Sequence, residues 1–197
     1  MIVDFLYIIF LTFLIVISFF IFAVIMKILI QGLIAQYHSV MEMKVKLIIN
    51  EFAQSHLWVV DAARRILKKN LDKSSRKNLM LIISIDKNLK LDGYGAVKGY
   101  IIHEDTKYDN VFTIHLDAKL SSKQMLSTLC HELSHLIQYA EGRHKTYTFN
   151  NTKYELWNGI NYGPKDSIEY SKRPWEIEAT AMESRFVEDY YQSNNAQ

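Results

Sequence analysis

An uncharged apolar segment near the N-terminus constrains the fold of this 197-residue chain more than any other feature. From Phe5 to Met26 it runs for 22 residues without a charged side chain, between Asp4 and Lys27. A helix of that length spans roughly 33 Å, enough to cross a hydrocarbon core of about 30 Å. The segment also lacks the basic start and the small-residue cleavage site of a secretory signal peptide. The sequence therefore predicts a retained N-terminal transmembrane anchor over residues 1–27.

The basic residues around this segment predict its orientation. No Lys or Arg precedes it, whereas Lys27, Lys44 and Lys46 follow it, and such residues favour the cytoplasmic side. We therefore expect a single-pass membrane protein with a cytoplasmic C-terminal domain. The triplet Asn150-Asn151-Thr152 matches a glycosylation acceptor and would favour the opposite side. A buried core helix is the alternative to an anchor, but small domains rarely enclose a helix that is apolar all round.

Composition excludes several classes of protein. With one cysteine, Cys130, the chain forms neither an intramolecular disulfide nor a zinc site built from cysteines. Its 23 Lys and Arg nearly balance its 21 Asp and Glu, so no field of one sign covers the whole chain and we expect no nucleic-acid partner. Aromatic residues make up 13% of the chain, which argues against disorder.

Residues 28–70 are predicted to form one or two amphipathic helices, because apolar side chains recur there mostly three, four or seven positions apart. The 28–52 part offers a short coiled-coil seam through which the chain could form a homo-oligomer. The alternative is that this helix packs on its own domain.

Residues 71–197 are predicted to form an α+β domain. A polar turn opens it, and a small, mainly antiparallel sheet of at least three strands follows. This sheet packs on a helix that begins at Ser121 or Ser122 and ends near Gly142, and on a last helix from about Pro174 to about Tyr191. Between the two helices the sequence predicts an irregular or hairpin segment. The strand candidates are residues 79–85, 96–103 and 111–116.

The first of these helices carries the pattern H-E-x-x-H at His131-Glu132-Leu133-Ser134-His135. Two histidines four residues apart lie on one helix face, so both imidazoles can reach one metal ion. Neutral imidazole nitrogen is a normal zinc ligand, and Glu132 can take a proton from a zinc-bound water. The motif therefore predicts a Zn²⁺ site with His131 and His135 as ligands and Glu132 as the catalytic base.

A catalytic zinc needs a third protein ligand, and the last helix offers three glutamates for this role, Glu176, Glu178 and Glu183. On a helical wheel, Glu176 and Glu183 flank the apolar stripe closely, whereas Glu178 points more nearly outward. Glu176 also has the small Ala179 three residues on, which permits close approach to a neighbouring helix. We predict Glu176 as the ligand, with Glu178 and then Glu183 as alternatives.

These two motifs together resemble a known family. H-E-L-S-H, followed about forty residues on by Arg173-Pro174-Trp175-Glu176-Ile177-Glu178-Ala179, is similar to small zinc metallopeptidases of the gluzincin type, including minimal ones encoded in phage and bacterial genomes. The resemblance covers roughly residues 80–190. By position it implies His131, His135 and Glu176 as zinc ligands and Glu132 as the general base. Many relatives have Asp or Asn four residues after the ligand glutamate, where this chain has Thr180.

The sequence thus predicts a membrane-anchored zinc metallopeptidase that acts on peptides or proteins. Tyr162 and Tyr170, in the segment between the helices, are candidates for stabilising the tetrahedral intermediate. The alternative is a non-catalytic membrane or virion-associated protein that keeps a peptidase-like zinc fold for structure or regulation. The intact Glu132 favours the enzyme, because a purely structural zinc site has no need of it.

Overall fold

The computed structural model describes residues 19–20, 22, 24–29, 44–49, 56–77, 79–91, 95–105, 110–164 and 167–195. The chain divides into two units, Met1–Glu42 and Met43–Gln197. In the first unit the described residues are helical, and most of the predicted Phe5–Met26 anchor lies outside them. Among the described residues, no helix combines the length and the apolar character needed to cross a membrane.

The second unit contains a four-stranded sheet, two short paired strands and a three-stranded sheet, together with helices. Its strands are β1 (Lys44–Ile49), β2 (Leu79–Asp86), β3 (Lys90–Leu91), β4 (Gly95–Ala96), β5 (Gly99–Asp105), β6 (Asn110–Asp117), β7 (His144–Phe149), β8 (Thr152–Trp157) and β9 (Ile160–Pro164). Its helices are α1 (Leu57–Asn70), α2 (Lys73–Arg76), α3 (Ser122–Ala140) and α4 (Pro174–Asn195), and a 3-10 turn at Tyr170–Lys172 precedes α4. The α+β class is therefore confirmed.

The four-stranded sheet has the strand order β1-β2-β6-β5. β1 and β6 both run parallel to β2, whereas β5 runs antiparallel to β6. Antiparallel pairings prevail among the described strands as expected, but this sheet is mixed. The reason is that α1 carries the chain from β1 back to the start of β2, and a helical crossover of this kind joins parallel strands.

The strand β1 corrects the helix predicted for residues 28–70. Residues 44–49 are extended, and helix is found in this stretch at residues 28–29 and in α1. The sequence of β1, KVKLII, is rich in β-branched side chains, and its backbone pairs with all but the ends of β2. Apolar residues three and four apart do not distinguish a helix from a short strand within so short a run.

The core lies between one face of this sheet and the helices. Alternate residues of β2 and β6 point inward, as in Leu81, Ile83, Phe112 and Ile114, each of which is fully buried. α1 and α3 cover this face, and α4 packs against α3 and adds Phe186 to the core. The predicted apolar stripe of α4 is confirmed, because Trp175, Ala179 and Phe186 are buried.

α3 begins where the sequence predicts, through a reciprocal cap. The Ser121 hydroxyl accepts from the backbone N–H of Gln124, and the Gln124 side chain accepts from the backbone N–H of Ser121. The segment after α3 forms the three-stranded sheet β7-β8-β9. Its turns, Asn150-Asn151 and Asn158-Gly159, have positive φ at every residue, as two-residue hairpins of the primed type require.

Candidate metal centre

The helices α3 and α4 bring the three predicted ligands together. His131 Nε2 lies 3.3 Å from Glu176 Oε2, and His135 Nε2 lies 3.2 Å from the same oxygen. One ligand atom from each residue can be chosen so that all three lie within 4.8 Å of one another. α3 supplies both imidazoles because a spacing of four residues keeps them on one face.

These distances suit a metal ion better than a set of hydrogen bonds. Glu176 Oε2 is buried and has no hydrogen-bond partner among the described residues, although both imidazoles are close to it. In a tetrahedral site with bonds of about 2.0–2.2 Å, neighbouring ligand atoms lie roughly 3.3–3.6 Å apart. The imidazole and carboxylate donors present are those that zinc prefers. The three residues therefore fit a zinc ion.

The other nitrogen of each imidazole is held by a different side chain. His131 Nδ1 lies 3.2 Å from Glu183 Oε2, and His135 Nδ1 lies 2.9 Å from Gln138 Oε1. Both partners are acceptors, so both Nδ1 atoms donate. Each Nε2 atom then has a lone pair when its imidazole is neutral and a proton directed toward Glu176 when its imidazole is charged. Such outer partners fix the tautomer and the ring orientation of metal-binding histidines.

Glu183 thus contacts the Nδ1 side of the His131 ring, whereas Glu176 lies on its Nε2 side. The Ser127 hydroxyl donates to its second carboxylate oxygen and orients it. Thr180, four residues after Glu176, donates its hydroxyl to the Glu176 carbonyl. The carboxylate that orients the first histidine therefore comes from one helical turn further along α4.

Glu178, the remaining alternative ligand, faces away from the cluster of Nε2 atoms. It accepts from the side-chain amide of Gln138 at 3.0 Å and forms an ion pair with Arg143. Gln138 also donates to the Trp175 carbonyl at 2.9 Å and is fully buried. Through this chain of contacts Glu178 supports the residue that orients His135. Sequence reasoning missed Gln138, although its place three residues after His135 puts it on the neighbouring helix face.

The ionisable groups of the cluster shift one another's pKa values. Burial alone would lower the pKa values of His131 and His135, but their contacts with Glu176 outweigh it and raise both above the ordinary 6.5. Burial would raise the pKa of Glu176, but the two imidazoles and the Tyr170 hydroxyl hold it far below its usual range. Burial raises the pKa of Glu132, and the imidazoles oppose this in part.

Two clefts of about 250 and 180 Å³ open at this cluster, and both are lined by Gly99, His131, Glu132 and Tyr170. Tyr170 lies on the 3-10 turn before α4, and the residue as a whole is 57% exposed. Tyr162 instead packs edge-on against the Trp175 ring and lines neither cleft. Of the two tyrosine candidates, Tyr170 is the one beside the cluster.

Comparison of the chain with protein-family models, with curated proteins and with solved structures finds no match. The functional argument for this chain therefore depends on the geometry of the cluster.

Proposed function

We propose that this protein is a membrane-anchored, zinc-dependent metallopeptidase. The observation that carries the proposal is the convergence of His131 Nε2, His135 Nε2 and Glu176 Oε2, with both Nδ1 atoms engaged elsewhere. A catalytic zinc keeps three protein ligands and one open position, and two histidines with one glutamate form such a set. The open clefts at this cluster support access of substrate to that position.

Glu132 is the residue of this chain that moves the proton. When bound, a zinc ion lowers the pKa of a water molecule and polarises a substrate carbonyl. The Glu132 carboxylate accepts the proton of the attacking water and then passes it to the leaving amine. Its raised pKa suits both steps, because a carboxyl that titrates nearer to neutral pH both accepts and donates a proton readily.

Tyr170 is the proposed electrophilic partner of the reaction. Its hydroxyl interacts with the Glu176 carboxylate, and the residue lines both clefts. Burial, followed by the charge of Glu176, raises the pKa of Tyr170, so the hydroxyl stays protonated and able to donate. A donor in this place stabilises negative charge that develops on a substrate oxygen.

The edge strand β5 supports an extended peptide as the substrate. Among the described strands it pairs with β6 alone within its sheet, so one edge of its backbone is open to pairing. Gly99, Tyr100 and Ile101 of this strand line the smaller cleft together with Glu132 and the three predicted ligands. An extended chain that adds to such an edge is held by backbone hydrogen bonds.

Membrane attachment is proposed from the N-terminal segment. The described residues between Phe5 and Met26 are apolar and helical, and Phe19, Phe20 and Phe22 are each at least 61% exposed. Large apolar side chains exposed in a row favour lipid over water as their surroundings.

The experiment is to measure zinc and peptide cleavage on the purified full chain. We expect about one zinc per wild-type chain and loss of zinc in His131→Ala and Glu176→Ala. Glu132→Gln should keep the zinc and lose cleavage, because it removes the proton acceptor without removing a ligand. Glu188→Gln is the matched control, since it makes the same change at an exposed glutamate of α4, the helix that carries Glu176, and should alter neither property.

Two outcomes would contradict the proposal in different ways. A folded wild-type chain that takes up no zinc would remove the metal site itself. A chain that binds zinc but cleaves no member of a peptide library, with Glu132→Gln indistinguishable from wild type, would favour the non-catalytic alternative.

A further inference from the structure

Positive charge is concentrated on one surface of the second unit, formed by α1 and α2. Residues 57–77 hold seven Lys and Arg against two Asp, whereas the whole chain carries a net +2. The rest of the chain is therefore net negative. We call the exposed side of this stretch the basic surface, and its cations, all at least partly exposed, are Arg64, Arg65, Lys68, Lys69, Lys73, Arg76 and Lys77.

Few acidic groups neutralise the basic surface. Asp61 pairs with Arg65 at 2.7 Å, and Asp189 pairs with Lys69 at 2.8 Å. Asp72 is engaged instead with the backbone and hydroxyls of two serines at the start of α2. Within the described part of the chain, four of the cations make no ion pair, namely Lys68, Lys73, Arg76 and Lys77, and Arg76 donates to the backbone carbonyl of Asp72 instead.

An exposed apolar side chain shares this face of α1. Leu57 is 60% exposed, and Arg64 and Lys68 follow it seven and eleven positions later on the same stripe of the helix. A leucine among cations fits the boundary between lipid headgroups and acyl chains. A nucleic-acid backbone offers phosphates but no apolar phase for this side chain, so lipid is the better match.

A groove of about 370 Å³ opens beside these residues, between α1 and α4. Its lining combines the cations Arg65, Lys68 and Lys69 with Ile66, Tyr190 and one acidic residue, Asp189, which pairs with Lys69. Cations next to an apolar wall suit a phosphate group that is attached to a glycerol and its acyl chains.

We propose that the basic surface binds the anionic phospholipid headgroups of the membrane. This rests on the membrane attachment in the proposed function and is independent of the peptidase activity. In the sequence only residues 28–56 separate the predicted anchor from α1, so the basic surface of an anchored chain is tethered within reach of a bilayer. Clustered Lys and Arg are attracted to an anionic leaflet over about a Debye length, so contact depends on salt.

The test is lysine footprinting of the full chain in vesicles. The chain is reconstituted in phosphatidylcholine alone or mixed with phosphatidylserine, treated with a membrane-impermeant acetylating reagent and analysed by mass spectrometry. Labelling of Lys68, Lys73 and Lys77 is normalised to that of Lys119 and Lys153, which are exposed elsewhere. On the anionic vesicles we expect about threefold or greater protection of the first three lysines, reversed by high salt.

Paired variants test the surface itself. Lys73→Glu/Lys77→Glu should return the labelling of Lys68 to its level on neutral vesicles. Lys119→Glu/Lys123→Glu, normalised to Lys153 alone, should leave the protection of Lys68 unchanged. Equal labelling on both kinds of vesicle, or protection by added RNA in place of anionic lipid, would overturn the proposal.

Flotation separates this proposal from the predicted anchor. A chain that floats with neutral vesicles but shows no protection on anionic ones retains the anchor and refutes the lipid-binding surface. A chain that floats only with anionic vesicles supports the surface and contradicts the anchor. Flotation with neither kind of vesicle contradicts both.

Discussion

At the scale of single residues, the two predicted histidine ligands are oriented by partners of different charge. Glu183 is a carboxylate and strengthens His131 as a ligand by drawing on its Nδ1 proton, whereas Gln138 offers His135 only a neutral amide oxygen. Gln138 is in turn fixed by the Trp175 carbonyl and by Glu178. Both arrangements leave Nε2 available to a metal ion, but only the Glu183 carboxylate places a negative charge on the Nδ1 side of the ring.

Removing either partner should weaken zinc binding while leaving the three ligands in place. We expect Glu183→Ala and Gln138→Ala each to lower zinc affinity about 10- to 100-fold, because the imidazole loses its fixed tautomer and orientation. Affinity is measured by competition with a chelator of known strength. Glu188→Gln should bind zinc as the wild type does, and wild-type affinity in Glu183→Ala would refute an orienting role for that carboxylate.

At the scale of elements, the position of β5 against α3 depends on the absence of one side chain. A Cβ on Gly99 would lie 2.6 Å from Thr128 Cγ2 on α3 and 2.8 Å from the His115 carbonyl oxygen on β6. Both distances are too short for ordinary contact, so any larger residue pushes the edge strand away from the helix. Because β5 lies this close to α3, its residue Gly99 lines both clefts.

Gly99→Ala should therefore destabilise the fold by about 1–3 kcal/mol, the usual cost of overpacking. Thr128→Ser removes the closer of the two clashing atoms, so the double variant should recover part of the loss but not all of it, since the His115 carbonyl remains. Urea unfolding of the two single variants and the double variant measures this. If the changes in the free energy of unfolding simply add in the double variant, the predicted contact between the two residues is wrong.

The three-stranded sheet is joined to the helices through a buried pair. His144 Nε2 lies 2.8 Å from Glu155 Oε2, and both side chains are at most 5% exposed. The His144 ring stacks between those of Tyr139 on α3 and Trp175 on α4. The pair therefore ties β7 and β8 to the two helices that carry the predicted ligands.

Removing one partner of this pair should lower the stability of the fold more than replacing both partners does. His144→Phe keeps the ring stack but leaves the Glu155 carboxylate buried without its partner, and we expect a loss of about 3–5 kcal/mol. Adding Glu155→Leu removes that charge, so the double variant should be more stable than His144→Phe alone. Denaturation followed by tryptophan fluorescence reports both. A double variant less stable than His144→Phe would show that Glu155 stabilises the fold through contacts other than this pair.

At the scale of the whole molecule, local patterns predicted more than pairings between distant segments. The helices α3 and α4 and the strands β2 and β6 follow from apolar periodicity and capping residues such as Ser121. The strand β1 was not predicted, because its pairing with β2 depends on a partner thirty or more residues away. The mixed order of the sheet escaped prediction for the same reason.

The residues of the candidate site were likewise predictable where they depend on local spacing and not where they depend on contacts between distant segments. His131, Glu132 and His135 lie within one helical turn, so their spacing alone places them on one face, and the choice of Glu176 followed from the wheel of α4. Which residue orients His131 depends on how α3 and α4 cross, which no local pattern contains. Glu183 could therefore be assigned only once the two helices were seen together, whereas Gln138 lies on α3 itself, three residues after His135.

The predicted ligands come from both α3 and α4, so metal and proton binding should both affect the stability of the second unit. The raised pKa values of His131 and His135 stabilise the metal-free fold below about pH 6.5, and this contribution is lost as the pH rises through those values. The lowered pKa of Glu176 stabilises the fold above about pH 4.5 and is lost only in stronger acid. The metal-free protein should therefore lose stability on going from weakly acidic to alkaline pH.

Zinc should reverse this trend, because it binds neutral imidazoles and takes the place of the protons that hold the cluster together. We expect the rise in Tm caused by zinc, relative to a chelator, to be larger at about pH 8 than at about pH 6. His131→Ala should show little zinc-dependent change at either pH, since it lacks one ligand and one of the titrating groups. An increase in Tm that is constant or smaller at the higher pH would mean that protons and metal do not compete for these histidines, and the cluster would then have to bind zinc through other atoms.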